Sequence, residues 1–195
     1  MIYLTKYLVT KKNVISIPKN VYLKRINNKL IIKGPLGFQY VELKNKIIIN
    51  KKNTKLAILP YSFQKSIYIN SRINLKAIQS TLKALIKKNI LGVLIYFRKQ
   101  LNFIGVGFRA TIVKKTNTLL LQLRLGYSHP IFIKIPYNIQ IICPKPTQLF
   151  ILGNCYNTVL KIASLIKSYR KPEPYKGKGI LFKNEIIKRK KGKKI

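Results

Sequence analysis

The sequence predicts an α+β fold of two tandem, similar domains, each an antiparallel sheet packed against one helix, followed by a basic C-terminal tail. Three observations carry that expectation. A short pattern occurs twice: Ile17-Pro18-Lys19-Asn20-Val21 leads to Lys29-Leu30-Ile31-Ile32-Lys33-Gly34, and Ile135-Pro136-Tyr137-Asn138-Ile139 leads to Gln148-Leu149-Phe150-Ile151-Leu152-Gly153. Proline and glycine stand 16 positions apart in the first copy and 17 in the second. Internal repetition of this kind points to a duplicated module. Strand patterns then dominate both halves, and each half also contains one stripe of apolar residues at helical spacing.

Taken in order, Val21 to Ile26 and Lys29 to Lys33 form a hairpin about Asn27-Asn28, since asparagine tolerates the positive φ of a tight turn. Phe38 to Leu43 and Lys46 to Asn50 continue it. Leu75, Ile78, Leu82 and Leu85 mark the first helix, with Asn74 as its cap. The apolar run Ile90 to Phe97 reads as a buried strand. Leu101 to Val113 is extended, and Leu119, Leu121, Leu123 and Leu125 alternate with Leu120, Gln122 and Arg124, as in a half-buried strand. Val159, Ile162, Ile166 and Tyr169 mark the second helix after Asn157. Each stripe lies on its sheet and leaves Lys76, Lys83, Lys87, Lys161 and Lys167 outward. The domains expected are 1–97 and 98–187. The tail 188–195, with Lys188-Arg189-Lys190-Lys191, has no core-forming pattern and is expected to be disordered until RNA orders it.

Charge narrows the function. Of 195 residues, 40 are Lys or Arg and 3 are Asp or Glu, a net charge of +37. Self-repulsion on that scale destabilises a compact chain unless an anion neutralises it, and phosphates do so with release of condensed counterions. The cations run along the whole chain, which disfavours an anionic membrane surface or a solvated tail as their reason. Hydrophobic residues make up 47% of the chain, too many for disorder, yet no apolar run approaches the roughly 18 residues that span a bilayer, so no membrane insertion is expected. Lys6, Lys11 and Lys12 interrupt any secretory-signal core. Cys143, Cys155 and one histidine are too few for a four-ligand zinc site. The cysteines read as structural thiols, with a disulfide or a shared intermolecular metal as alternatives, and no cofactor is expected. Lysine outnumbers arginine 33 to 7, and Ile and Asn abound. This bias follows A/T-rich codons, and with no targeting segment read at the N-terminus it leads to the expectation of an organelle-encoded protein.

The segment Tyr169-Arg170-Lys171-Pro172-Glu173-Pro174-Tyr175-Lys176-Gly177-Lys178-Gly179 holds the most information. Its prolines end the second helix, its glycines let backbone approach a surface, and its rings alternate with cations as an irregular RNA surface requires. An exposed basic turn after a helix is the plainer alternative. Pro172 to Ile180 resembles the signature of the large-subunit ribosomal protein six family: Pro, an acidic or polar residue, any residue, Tyr, Lys, Gly, Lys, Gly and an aliphatic. Phe103-Ile104-Gly105-Val106-Gly107-Phe108-Arg109-Ala110 and Leu125-Gly126-Tyr127-Ser128-His129-Pro130 are also similar to that family, so the resemblance covers about residues 98 to 195. It departs at Leu94-Ile95-Tyr96 and at Leu181-Phe182-Lys183-Asn184.

The resemblance implies two similar α+β domains and a C-terminal domain that grips large-subunit rRNA near the sarcin–ricin loop, beside the docking site of translation GTPases. The expected RNA contacts are Phe108, Arg109, Ser128, His129, Tyr169, Arg170, Lys171, Pro172, Tyr175, Lys176, Gly177, Lys178 and Gly179, with Lys188, Arg189, Lys190 and Lys191 of the tail. Neighbouring ribosomal proteins are expected partners, self-association is not, and the ribosome expected is mitochondrial, with a plastid-type organelle as the alternative. Gly105-Val106-Gly107-Phe108 is not a nucleotide loop, because the third glycine is missing and the segment reads as strand. His129 lacks the poised carboxylate a general base needs: the acids are Glu42, Glu173 and Glu185. An enzyme is therefore not expected. A transient RNA chaperone or processing factor is the alternative reading.

Overall fold

A computed structural model of the chain describes residues 14–43, 47–52, 55–60, 69–115 and 118–192. It is α+β, and the chain divides into two compact units, Met1–Ile95 and Tyr96–Ile195. The first unit contains β1 (Val14–Ser16), β2 (Tyr22–Ile26), β3 (Lys29–Gly34), β4 (Gly37–Glu42), β5 (Ile47–Lys52), β6 (Lys55–Pro60) and α1 (Ile69–Leu94). Its strands form two three-stranded antiparallel sheets, ordered β2-β3-β4 and β1-β6-β5. The hairpin about Asn27 is present, with Asn27 at φ 49°. Of the segment at Lys46 to Asn50, the described residues Ile47 to Asn50 do not continue that hairpin. As part of β5 they pair with β6 in the other sheet.

The second unit contains β7 (Phe97–Ile104), β8 (Arg109–Lys115), β9 (Thr118–Arg124), β10 (Ile131–Lys134), β11 (Ile139–Lys145), β12 (Gln148–Gly153), α2 (Tyr156–Ser168) and β13 (Gly179–Phe182). Its sheets are β10-β9-β8 and β11-β12-β7-β13. The sheet neighbourhoods of the two units match when β4, β5 and β6 are equated with β7, β8 and β9. In the first unit those strands follow the repeated Pro-to-Gly segment, and in the second they precede it. Each unit thus has two sheets where the sequence suggested one.

Both cores are apolar and contiguous. Leu30, Ile32, Val41, Leu56 and Ile58 pack with Leu82, Ile86, Ile90 and Val93 of α1. Leu101, Leu121, Leu123, Leu149, Ile151 and Ile180 pack with Val159, Ala163 and Ile166 of α2. Burying a side chain such as Ile86 or Ile166 contributes about 1.5–3 kcal/mol.

Helix α1 corrects three expectations. It begins at Ile69, so Asn74 lies inside it and not at its N-terminus. Its buried stripe is Leu82, Ile86, Ile90 and Val93, and Leu85 is half-exposed. The run Ile90 to Phe97 is not one strand: Ile90 to Leu94 is the last turn of the helix, and β7 starts at Phe97. Short apolar runs fit either element, and here the four-residue spacing of Leu82, Ile86 and Ile90 decides for the helix. The side chains of Leu75 and Lys76 lie outside the described residues. No helix among the described residues is long and apolar enough to cross a membrane.

Candidate nucleic-acid interface

The proline-rich loop starts where α2 ends, at Tyr169, and closes on itself through its backbone. Ile180 N–H donates to the Arg170 carbonyl at 3.0 Å, Glu173 N–H to Lys178 O at 2.8 Å, and Gly177 N–H to Glu173 O at 3.0 Å. Gly177 has φ 71° and Gly179 φ 147°, and a Cβ on Gly179 would stand 2.6 Å from Pro172 Cα. Only glycine permits that approach. Because the backbone groups face inward, Arg170, Lys171, Tyr175, Lys176 and Lys178 are left exposed, whereas Gly177 and Gly179 are buried and Pro172 half-buried.

The tail returns to this loop. Lys190 N–H donates to Pro174 O at 3.0 Å, and the Arg189 guanidinium lies 3.2 Å from where a Gly177 Cβ would be. Disorder until RNA arrives is therefore corrected for Arg189 and Lys190. The Pro174 carbonyl offers an acceptor, and Gly177 leaves room for the guanidinium. Lys188 and Lys191 are exposed beside them.

Upstream of the tail, Glu185 holds the chain to α2. Both its oxygens accept from Lys167 Nζ at 2.6 Å, and Oε2 also accepts from Phe182 N–H at 3.1 Å. The hydrogen bond from Lys167, aided by that from Phe182 N–H and by the ammonium charge, outweighs partial burial and holds the carboxyl below its usual range. One of the three acids is thus committed to structure, and Lys167 is not the free outward cation expected.

The turn after β9 meets the loop. Tyr127 Oη donates to Tyr169 O at 2.8 Å, the Arg170 guanidinium lies 5.1 Å from the Tyr127 ring centroid, and the Tyr127 and His129 rings stack at 6.4 Å. Ser128 Oγ and His129 Nδ1 are 3.4 Å apart. Ser128, His129, Tyr169 and Arg170 are therefore brought together, and Tyr127 is the residue that joins them. It was legible only as part of the Leu125–Pro130 motif, since nothing in a lone tyrosine shows which carbonyl it will reach.

An open groove of about 660 Å³ runs beside this turn, lined by Arg109, Arg124, Tyr127, Ser128 and His129. Arg109 and Arg124 are direct cross-strand partners, both exposed. Like charges so placed are unfavourable alone, and an anion between them reverses the sign. Arg124 escaped the sequence reading because its opposition to Arg109 depends on register.

Phe108 is a correction. It is 7% exposed and belongs to the second core, with its ring 3.1 Å from a Cβ on Gly105 and 3.2 Å from one on Gly126. Gly105 to Phe108 is a turn between β7 and β8, not a strand, and Gly107 adopts φ 78°. Phe108 thus shapes the groove from beneath. Cys143 and Cys155 are free thiols, so the disulfide alternative does not hold, and burial pushes the Cys143 thiol up.

Comparison with known proteins adds a family. A model of the family described as ribosomal protein L6 matches residues 104–183. The large ribosomal subunit protein uL6 of Mycoplasmoides gallisepticum is 39% identical over 92% of this chain and 93% of its own length. Those of Spiroplasma citri and Nitrosospira multiformis are 37% and 35% identical, over 88% and 94% of this chain and 98% and 97% of their own lengths. These relatives are bacterial, which overturns the expectation of a mitochondrial or plastid-type ribosome. The Lys, Ile and Asn bias reports the base composition of a genome, and base composition does not specify a compartment.

Proposed function

Since this chain belongs to the ribosomal protein L6 family, we propose that it is a structural, non-catalytic part of the large ribosomal subunit that braces rRNA with three elements. These are the loop 169–179, the Tyr127–His129 turn and the start of the tail. The place proposed is rRNA near the sarcin–ricin loop, beside the site where translation GTPases dock, as the resemblance implies. Other ribosomal proteins are its neighbours there, and it does not self-associate.

One observation carries this reading: the loop is closed by its own backbone bonds before any partner arrives, and what remains outside is the cations Arg170, Lys171, Lys176 and Lys178 and the Tyr175 ring, with Pro174 and a single carboxylate, Glu173. A preformed surface loses little conformational freedom on binding. Arg170, Lys171, Lys176, Lys178 and Lys188 then neutralise phosphates with counterion release, Arg109 and Arg124 share an anion in the groove, and Tyr175 offers its half-exposed ring to a base or sugar. Gly177, Gly179 and Pro172 serve by fixing the backbone.

Replacing Lys176 and Lys178 with Ala tests the reading. The slope of log affinity for a large-subunit rRNA fragment against log salt should fall by roughly 0.9 for each lost phosphate contact. An unchanged slope would show that the loop does not touch phosphate.

A further inference from the structure

The outer face of the sheet β2-β3-β4 carries an arrangement that neither loop nor tail accounts for. Strand register sets Tyr22, Lys33 and Phe38 side by side in one row, and Lys24, Ile31 and Tyr40 in the next. Alternation sends Leu30, Ile32 and Val41 to the core, which leaves the two rows on the opposite face. Tyr22, Phe38 and Tyr40 are 71%, 67% and 60% exposed. Lys24, Lys29 and Lys33 are exposed among them, and Lys29 Nζ lies 5.5 Å from the Tyr40 ring centroid. Glu42, opposite Lys29 in the third row, is the one acid of the face.

Three open rings on one sheet face mark an interaction surface, and their neighbours identify its partner. Lysine is depleted from protein–protein interfaces, yet Lys33 is the direct cross-strand neighbour of both Tyr22 and Phe38. Rings flanked by ammonium groups on an antiparallel sheet suit unpaired nucleotides, whose bases stack while their phosphates are neutralised. On the corresponding sheet of the second unit the Phe150 ring is half-buried and closed to such stacking, because the Arg98 guanidinium lies 3.8 Å over it. We infer that the β2-β3-β4 face is a second RNA-binding surface. It takes unpaired bases on Tyr22, Phe38 and Tyr40 and their phosphates on Lys24, Lys29 and Lys33. The inference stands apart from the phosphate contacts of the loop, and either can fail alone.

The test uses the full chain in two doubly substituted forms, Phe38→Ala with Tyr40→Ala and Phe38→Ile with Tyr40→Ile. The isoleucines keep strand propensity and apolar area while removing the rings. Affinity is measured for a single-stranded oligouridylate and for an abasic ribose-phosphate oligomer of equal length. The unaltered chain should prefer the base-bearing oligomer by at least about fivefold for each stacked base. Both variants should lose most of that preference, keeping only the share that Tyr22 carries, yet bind the abasic oligomer as before, and the Lys176→Ala, Lys178→Ala form should retain it in full. Equal binding of the two oligomers by the unaltered chain would overturn the inference, as would an undiminished preference in the isoleucine form. Loss of the isoleucine form from large-subunit particles with oligonucleotide preference intact would assign the face to a protein neighbour, and would equally overturn it.

Discussion

The turns Ile17–Val21 and Ile135–Ile139 are alike in detail. In each, an N–H donates to the proline carbonyl three residues back at 3.1 Å, and the flanking residues are 9% and 5% exposed in both copies. Each repeat ends on a glycine pressed against a helix valine, since a Cβ on Gly34 or on Gly153 would stand 2.8 Å from Val93 or Val159. The halves part where the helices end. Helix α1 runs into the junction with β7, whereas α2 runs into the closed loop that carries the proposed phosphate contacts. The open rings of β2-β3-β4 also differ from the corresponding face of the second unit, where the half-buried Phe150 lies under the Arg98 guanidinium. Duplication here preserved what packs and let what faces outward diverge, because burial constrains both shape and polarity while a surface position constrains neither.

Core truncation should affect the two units alike and most severely. Ile32 and Ile151 are both wholly buried on central strands, and either replaced by Ala should cost about 2–5 kcal/mol. Urea unfolding followed by amide exchange would show whether each loss stays within its own unit. A loss spread over both would break the picture of two independent cores.

Next in size are the glycines, where the comparison can be sharpened. Gly34→Ala and Gly153→Ala should each destabilise by roughly 1–3 kcal/mol through overpacking. Adding Val159→Ala should relieve the second, whose nearest neighbour is the Val159 methyl. Adding Val93→Ala should not relieve the first, because the Val93 carbonyl oxygen also lies 2.8 Å away. Double-mutant cycles measure that coupling, and equal relief at both sites would show that the backbone oxygen yields.

The smallest effect is one of pH. The folded-state pKa of Glu185 is lowered, first by the hydrogen bond from Lys167. Its contribution is therefore fully present above the carboxyl's unfolded value, about 4.3 for glutamate, and is lost as pH falls through the lower folded value. For a partly exposed pair it amounts to under about 1 kcal/mol. Glu185→Gln should flatten that acid limb for the second unit in unfolding followed from pH 7 to 2, and an unaltered limb would mean the pair contributes nothing.

Much of this was legible in the chain. The Asn27 hairpin, the alternation at Leu121, Leu123 and Leu125, and the α2 stripe at Val159 and Ile166 follow from local periodicity and turn chemistry. So did the loop at 169–179, because its prolines and glycines act on the backbone locally. Ile90–Leu94 was misread since a short apolar run satisfies strand and helix alike, and Phe108 since a motif shows which residues stand together but not which way each one faces.

The chain alone determined its net charge of +37, its two apolar interiors and the backbone restriction of one loop, because charge, pattern and backbone restriction are properties of residues in sequence. Tertiary structure decided which strands share a sheet, that Arg109 faces Arg124, that Tyr127 reaches the carbonyl of Tyr169, and that Arg189 rests on Gly177. Those contacts join residues far apart in the chain, and only the register and packing of whole elements set such distances.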